Sequence, residues 1–196
     1  MKVNSTRKIP FFNYADLYGE DYMTAMRDIC SRGAFIMQEE LAEFEAQLSE
    51  YTGARHAVGV ANATDGLQMA LHASGIGSGD EVIFCSHTMV ATASAIYFTG
   101  AKPVPVEAGP DHMIDPDAIQ MALTPFTKAI VPTQLNGRTA DMDAITAIAD
   151  MNDLLIFEDA AQALGSKFRD RFAGSFGRAA CISFYPAKIL GCYGDG

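Results

Sequence analysis

The stretch "LLIFEDAAQ", residues 154–162, decides the fold. Leu154, Leu155, Ile156 and Phe157 form an unbroken apolar run, too short for a helix. Such a run fits a strand buried on both faces, as in a parallel sheet covered by helices. Two carboxylates follow at once. Asp159 then ends a buried strand, where an unpaired charge costs several kcal/mol and calls for a partner. Glu158 points to the opposite face by strand alternation and is expected to be solvated or ion-paired.

Strand and helix patterns alternate outward from this point. The strands are "HAVGVANAT" (56–64), "DEVIFCS" (80–86), "AKPVPVE" (101–107), "TKAIVPTQL" (127–135) and "AACISFY" (179–185). The prolines of 101–107 place that strand near a sheet edge. The helices are "MQEELAEFEAQLSEYTG" (37–53), "DGLQMALHASG" (65–75), "HTMVATASAIYFTG" (87–100), "DPDAIQMAL" (115–123) and "DMDAITAIADMN" (141–152). Gly53, Gly75 and Gly100 read as stops. Asp115 reads as a cap, with Pro116 at the first helical position. Repeated strand–helix–strand units imply an α/β fold, a mostly parallel sheet with helices on both faces. We read residues 1–40 as an N-terminal arm and helix, and 41–196 as one domain.

Composition narrows the function. With 196 residues, 49% hydrophobic and 19% charged, a packed core is expected. A net charge of -10 argues against nucleic acid as a partner. No apolar run approaches the roughly 18 residues of a membrane helix, and no signal-peptide pattern opens the chain. Cysteines 30, 85, 181 and 192 form no CxxC pair, which points to reduced thiols in a cytoplasm. Histidines 56, 72, 87 and 112 lack metal-ligand spacing, so no metal site is expected. "GSFG" (174–177) is not the GxSxG elbow of a serine hydrolase.

Ligands of such sheets bind beyond the carboxyl ends of the strands. Four polar segments fall there. "NATDG" (62–66), with Asn62, Ala63, Thr64 and Asp65, opens a helix whose free N–H groups suit an anion such as phosphate; a plain capped helix start is the simpler reading. "FEDAAQ" (157–162) offers Asp159 to a cationic ring nitrogen, or merely as a helix cap. "SHTMVAT" (86–92) brings His87 and Met89 to a helix start, where either could cover a planar ligand; the simpler readings are core packing for Met89 and a helix-start polar contact for His87. "SFYPAK" (183–188) brings Ser183, a phosphate-binding hydroxyl, and Lys188, an amine that is nucleophilic if desolvated and otherwise a solvated loop lysine. Together, a phosphate cradle, an acid for a pyridinium nitrogen and an amine for an aldehyde are what pyridoxal 5'-phosphate requires.

The sequence resembles the DegT/StrS-type sugar-nucleotide aminotransferases. The matching stretches are "GARHAVGVANATDGLQMAL", "GSGDEVIFCSHTMVATASAIYFTGAKPVPVE", "TKAIVPTQLNGRTADMDAI", "LLIFEDAAQALGS" and "GSFGRAACISFYPAKILGCYGDG", in order along most of the chain. The resemblance implies the large domain of the fold type I pyridoxal-phosphate transferases. It implies that Lys188 bonds covalently to the cofactor and shuttles a proton. Asp159 would pair with the pyridine nitrogen, and Gln162 would lie by the ring. Ser183 and the backbone of Thr64 and Asp65 would hold the phosphate. The family usually stacks an aromatic residue where this chain has Met89, with His87 a possible substitute. The implied reaction moves an amino group, usually from glutamate, to a keto-sugar of a nucleoside diphosphate. Sugar carbon 3 is favoured over carbon 4, and O-antigen and antibiotic deoxysugars are both compatible. A lysine at 188, where the family's dehydratases have histidine, favours transamination over deoxysugar dehydration. A non-catalytic sugar-nucleotide or partner-binding module is the reading from another class. The family is dimeric, and its members continue into a further antiparallel strand and a C-terminal domain. That strand would lie between 179–185 and 56–64. Without it the latter lacks a ladder partner, and the chain alone is expected to be an N-terminal fragment with little activity.

Overall fold

The computed structural model describes residues 19–196. Two compact units divide at Ala42 and Glu43.

The first unit contains α1 (Glu20–Arg32), which has no buried residue. Gly33 ends it in the left-handed region at φ 65°, and its N–H and that of Ala34 close on Cys30 and Ile29. Glycine suits this position because it has no Cβ to clash. Arg27 pairs with Glu20, and Arg32 with Asp28 and Glu40. These pairs are exposed and contribute little stability. The expected arm lies largely on residues 1–18, outside those described. Helix α2 (Glu39–Thr52) runs across the division.

The second unit is built on a five-stranded sheet. Its strands are β1 (Glu81–Cys85), β2 (Lys102–Val106), β3 (Thr127–Val131), β4 (Leu155–Asp159) and β7 (Ala179–Cys181), ordered β2-β1-β3-β4-β7. All four pairings are parallel. The intervening β5 (Lys167–Phe168) and β6 (Arg171–Phe172) form a separate antiparallel hairpin. The helices are α3 (Ala63–Ala73), α4 (Val90–Phe98), α5 (Pro116–Ala122) and α6 (Met142–Met151).

Strand alternation sorts the core onto two faces. Ile83 and Cys85 of β1 join Ile119 of α5 and Ile145 and Ile148 of α6. Val82 and Phe84 join Leu67 and Leu71 of α3 and Ile96 of α4, together with Phe157. Each fully buried side chain of this size contributes about 1.5–3 kcal/mol. The sheet thus has helices on both faces, and β2 with Pro103 and Pro105 lies at its edge. Asp115 caps α5 by accepting from the Asp117 N–H at 3.0 Å, with Pro116 opening the helix.

Three expectations are corrected. The first strand, expected at 56–64, does not form: Val58 is 77% exposed and no ladder involves 56–61. A β-prone sequence becomes a strand only when a neighbour takes its backbone groups, and β7 has no partner on that side among the described residues. The Gly59 N–H donates instead to the Glu45 carboxylate, 2.6 Å away. Helix α4 starts at Val90 rather than His87, leaving 86–89 as a loop beyond β1. Strand β7 stops at Cys181, so Ser183 lies in irregular chain.

Close backbone approach seats β7. A Cβ on Gly177 would lie 2.2 Å from the Ile156 carbonyl oxygen. Only glycine lets the chain enter there, and the adjacent Arg178 N–H then donates to that oxygen at 2.7 Å.

Candidate active site

Asp159 is the last residue of β4, with 6% of its surface exposed. Main-chain pairing continues past the strand and fixes it. Its N–H donates to the Pro132 carbonyl (3.0 Å), and its carbonyl accepts from the Gln134 N–H (2.8 Å). Its side chain accepts from the Thr92 hydroxyl at 2.5 Å and from the Ala161 N–H at 3.2 Å. The Cys181 thiol lies 3.7 Å from Oδ1. Burial, then the Asp159 charge, pushes that thiol well above its ordinary range. Among the described residues no lysine, arginine or histidine pairs with Asp159.

The Thr92 hydroxyl is part of a longer chain. Thr88 lies 2.7 Å from Thr92 and 2.9 Å from Thr133, oxygen to oxygen. Thr92 and Thr133 are buried. Sequence reasoning missed these three threonines, because Thr88 and Thr133 stand 45 positions apart and Thr92 and Asp159 stand 67 apart.

Glu158 corrects the sequence expectation. It is fully buried rather than solvated, and no cation pairs with it among the described residues. Its Oε1 accepts from the Phe176 N–H (2.6 Å), and its Oε2 from Gln134 Nε2 (2.8 Å) and the Gly174 N–H (2.9 Å). Three hydrogen-bond donors meet the carboxylate instead. Alternation placed Glu158 opposite Asp159, but that face is covered by the loop entering β7 rather than by water.

The start of α3 is capped. Asn62 Oδ1 accepts from the Asp65 N–H at 2.9 Å, and its Nδ2 donates to Asp65 Oδ2 at 3.0 Å. Of the expected phosphate donors, the Asp65 N–H is therefore committed to the cap. Those of Ala63 and Thr64 have no acceptor among the described residues. Gly66 brings this turn onto β7: a Cβ there would lie 3.8 Å from the Cys181 Cβ. Ser183 is 8% exposed, accepts from the Tyr185 N–H (3.2 Å), and donates its hydroxyl to the Gly196 carbonyl (3.3 Å). A phosphate would have to displace the Gly196 oxygen as the acceptor of that hydroxyl.

Lys188 lies in the turn after Ser183, half-buried, its N–H donating to the Tyr185 carbonyl at 2.8 Å. Gly191 lets this loop fold back tightly, since a Cβ there would lie 2.4 Å from the Pro186 oxygen. Gln162 is held from two sides. Its Oε1 accepts from the Asn136 N–H (3.1 Å), and its carbonyl from the Gly137 N–H (3.0 Å). With Oε1 so engaged, Nε2 is the end of the amide left to donate. His87 Nδ1 lies 3.2 Å from the His112 carbonyl oxygen, so it carries the proton, and the two rings meet edge-on at 5.8 Å. Met89 precedes α4 and is 62% exposed.

These contacts join the segments in pairs. Thr92 links 86–92 to Asp159. The Ala160 N–H donates to the Cys181 carbonyl at 3.0 Å, linking Asp159 to the strand before Ser183. Gly66 links the Asn62 turn to the same strand. The Asp159 carboxylate takes its hydrogen bonds from Thr92, Ala161 and Cys181, so Gln162, His87 and Lys188 join it only through intervening chain. The donor set nonetheless fits pyridoxal 5'-phosphate. The decisive observation is a buried carboxylate with hydrogen-bond donors but no cation among the described residues, at the carboxyl end of a parallel sheet.

The family model for the DegT/DnrJ/EryC1/StrS aminotransferase family matches residues 17–196. A relative from Streptomyces venezuelae, dTDP-3-amino-3,4,6-trideoxy-alpha-D-glucose transaminase, is 45% identical over 195 residues, covering 97% of this chain and 52% of its own length. The crystal structure of S. venezuelae DesV superposes with a TM-score of 0.88 at 43% identity, covering 97% of this chain and 52% of that one. NtdA from Bacillus subtilis, solved with bound cofactor PMP, gives a TM-score of 0.88 at 32% identity, over 100% of this chain and 45% of that one. The chain spans about half the length of the proteins it matches.

Proposed function

Because this chain belongs to the DegT/DnrJ/EryC1/StrS aminotransferase family, we propose that it carries the cofactor-binding part of a pyridoxal-phosphate-dependent sugar-nucleotide aminotransferase. The reaction transfers an amino group, from glutamate, to a keto-sugar of a nucleoside diphosphate. The observation that supports this reading is Asp159, buried at the end of β4 with no cationic partner among the described residues, where it would pair with a protonated ring nitrogen. When bound, the cofactor would supply an electron sink for the carbon being deprotonated.

The chain's own residues supply the rest. The Lys188 amine would be the group that holds the cofactor's aldehyde covalently and, when free, would act as the base that carries the substrate's proton. Asp159 holds the proton on the ring nitrogen by charge. The Ala63 and Thr64 N–H groups, at the positive end of α3, hold phosphate with the Ser183 hydroxyl. The Nε2 of Gln162 is set to donate to the ring's oxygen substituent. Met89 and His87 cover the ring's face. The NtdA structure with PMP supports the cofactor class, and the S. venezuelae transaminase supports a nucleotide sugar aminated at carbon 3.

Catalysis by this reading needs more chain than residues 1–196. Segment 56–61 has no ladder, and the outer edge of β7 is open among the described residues. The whole enzyme would be a homodimer. The exposed Met69, Val90, Tyr97 and Phe98 on α3 and α4 support an apolar interface. Thiols at Cys30, Cys85 and Cys181, none in a disulfide, suit a reducing cytoplasm.

The test joins residues 1–196 to the second half of the S. venezuelae transaminase. The chimera is supplied with glutamate, pyridoxal 5'-phosphate and a dTDP-3-keto-sugar. Aminated product is expected by mass spectrometry, and none from the Lys188→Ala chimera or the 196-residue chain alone. A folded chimera that makes no product overturns the reading. A deoxygenated product would instead favour dehydration.

A further inference from the structure

A carboxylate only accepts hydrogen bonds, so the Thr92 hydroxyl must give its one proton to Asp159. The oxygen of Thr92 is then left to accept, and the Thr88 proton points at it. Thr88 has no second proton, so Thr133 donates to Thr88 in turn. Every hydroxyl therefore points one way, toward the negative charge. Chains of this kind strengthen bond by bond, and more so where water is excluded. Thr92 and Thr133 are 0% and 5% exposed, while Thr88 sits half-buried in the 86–89 loop. That loop carries His87 and Met89. Met89, which precedes α4, makes no side-chain cap bond, so the Thr88–Thr92 contact is a side-chain link between the loop and the helix.

We propose that Thr133, Thr88 and Thr92 form a one-way hydroxyl chain that positions Asp159 and couples it to the 86–89 loop, so that charge at Asp159 orders the loop across the site. The three threonines are positioning residues; none need touch a ligand. The inference rests on the reading of Asp159 as the partner of a cationic ring, and it deepens that reading. Holding Asp159 in place for a cation and holding the loop across the site are thereby linked, because both depend on the same hydroxyls.

Thr88 makes no bond to Asp159, so the two should act independently unless the chain couples them. The experiment is a double-mutant cycle on the 196-residue chain without cofactor, using Thr88→Val and Asp159→Asn in urea unfolding. Thr88→Val should lower the unfolding midpoint at least about twice as much in the parent as in the Asp159→Asn background. Thr88→Ser, which keeps the hydroxyl, should restore it. Should Thr88→Val not fold, Thr133→Val at the far end of the chain serves in the same cycle. A second arm titrates pyridoxal 5'-phosphate by absorbance, where Thr88→Val should weaken binding about 3–10-fold and Thr88→Ser should not. Equal midpoint shifts in both backgrounds overturn the proposal, as does unchanged cofactor affinity in Thr88→Val. Coupling that persists in a protein taking up no pyridoxal 5'-phosphate upholds the hydroxyl chain and overturns the cofactor reading instead.

Discussion

Replacing Glu158 by glutamine keeps the shape of the side chain and exchanges one acceptor oxygen for an NH2 donor. The geometry leaves no harmless way to place it. With the NH2 at the Oε2 position, it faces both Gln134 Nε2 and the Gly174 N–H. Flipped to the Oε1 position, it faces the Phe176 N–H. The flip costs least, losing one bond to a charged acceptor and leaving one buried N–H unmatched. Bonds to charged groups contribute about 1.5–3 kcal/mol, and the two remaining bonds weaken once the charge is gone. Removing the charge also removes its own burial cost, which offsets part of the loss. The net expectation is a destabilisation of about 2–4 kcal/mol, or a melting temperature lower by about 5–15 °C for a chain of this size. Circular dichroism melts of the two proteins measure it. The loop 173–176 that feeds β7 should loosen first, visible as faster amide exchange at Gly174 and Phe176. A melting temperature within about 2 °C of the parent would refute the reasoning, since it would mean that three buried donors do not need the carboxylate.

Further outcomes follow from the same packing. Gly177→Ala sets a methyl against the Ile156 carbonyl and breaks the Arg178 bond, and should lower stability by about 2–4 kcal/mol in urea; a change under about 0.5 kcal/mol would count against the seating of β7. Asn62→Ala removes the α3 cap and should cost about 1 kcal/mol in the same assay, and Asn62→Ser should largely keep it. Lys102, and then Thr124, hold the Glu81 carboxyl below its usual value in the folded protein. Its contribution is thus present above the unfolded value and lost as pH falls through the lower folded one. Lys102→Met should therefore flatten the fall of melting temperature on acidification through the carboxylate range, and an identical acid profile would argue against the pair. Burial raises the Cys85 and Cys181 thiols, so iodoacetamide at a pH of about 8 should leave both unmodified in the folded chain while alkylating exposed Cys30; equal rates would contradict their placement.

Much of this architecture could be read from local pattern. The apolar run at 154–157 announced a strand covered on both faces, and the prolines at 103 and 105 announced an edge. Asp159 was legible because it ends such a run, and a charge there must be answered. Other features depend on distant chain. Glu158 follows the same alternation rule, yet its donors come from Gln134, Gly174 and Phe176, which no local pattern connects to it. The hydroxyl chain joins residues from three separate segments, and a threonine in a helix or loop carries no mark of its partner. Segment 56–61 fails for the converse reason. Its β-propensity is real, but a strand is a property of a pair. The α3 start shows a milder limit: the cap was legible, whereas its use of the Asp65 N–H was not.

Covalent capture reads out directly whether Lys188 and Asp159 act together on pyridoxal 5'-phosphate. The chain is incubated with increasing pyridoxal 5'-phosphate, reduced with borohydride, digested and mapped by mass spectrometry. Reduction fixes whichever amine holds the aldehyde, so the readout does not depend on turnover. The label is expected on Lys188 at cofactor concentrations that leave Lys102, Lys128 and Lys167 unmodified, with the preference lost in Asp159→Asn. Label spread evenly over these lysines, or a preference for Lys188 that survives Asp159→Asn unchanged, would contradict it.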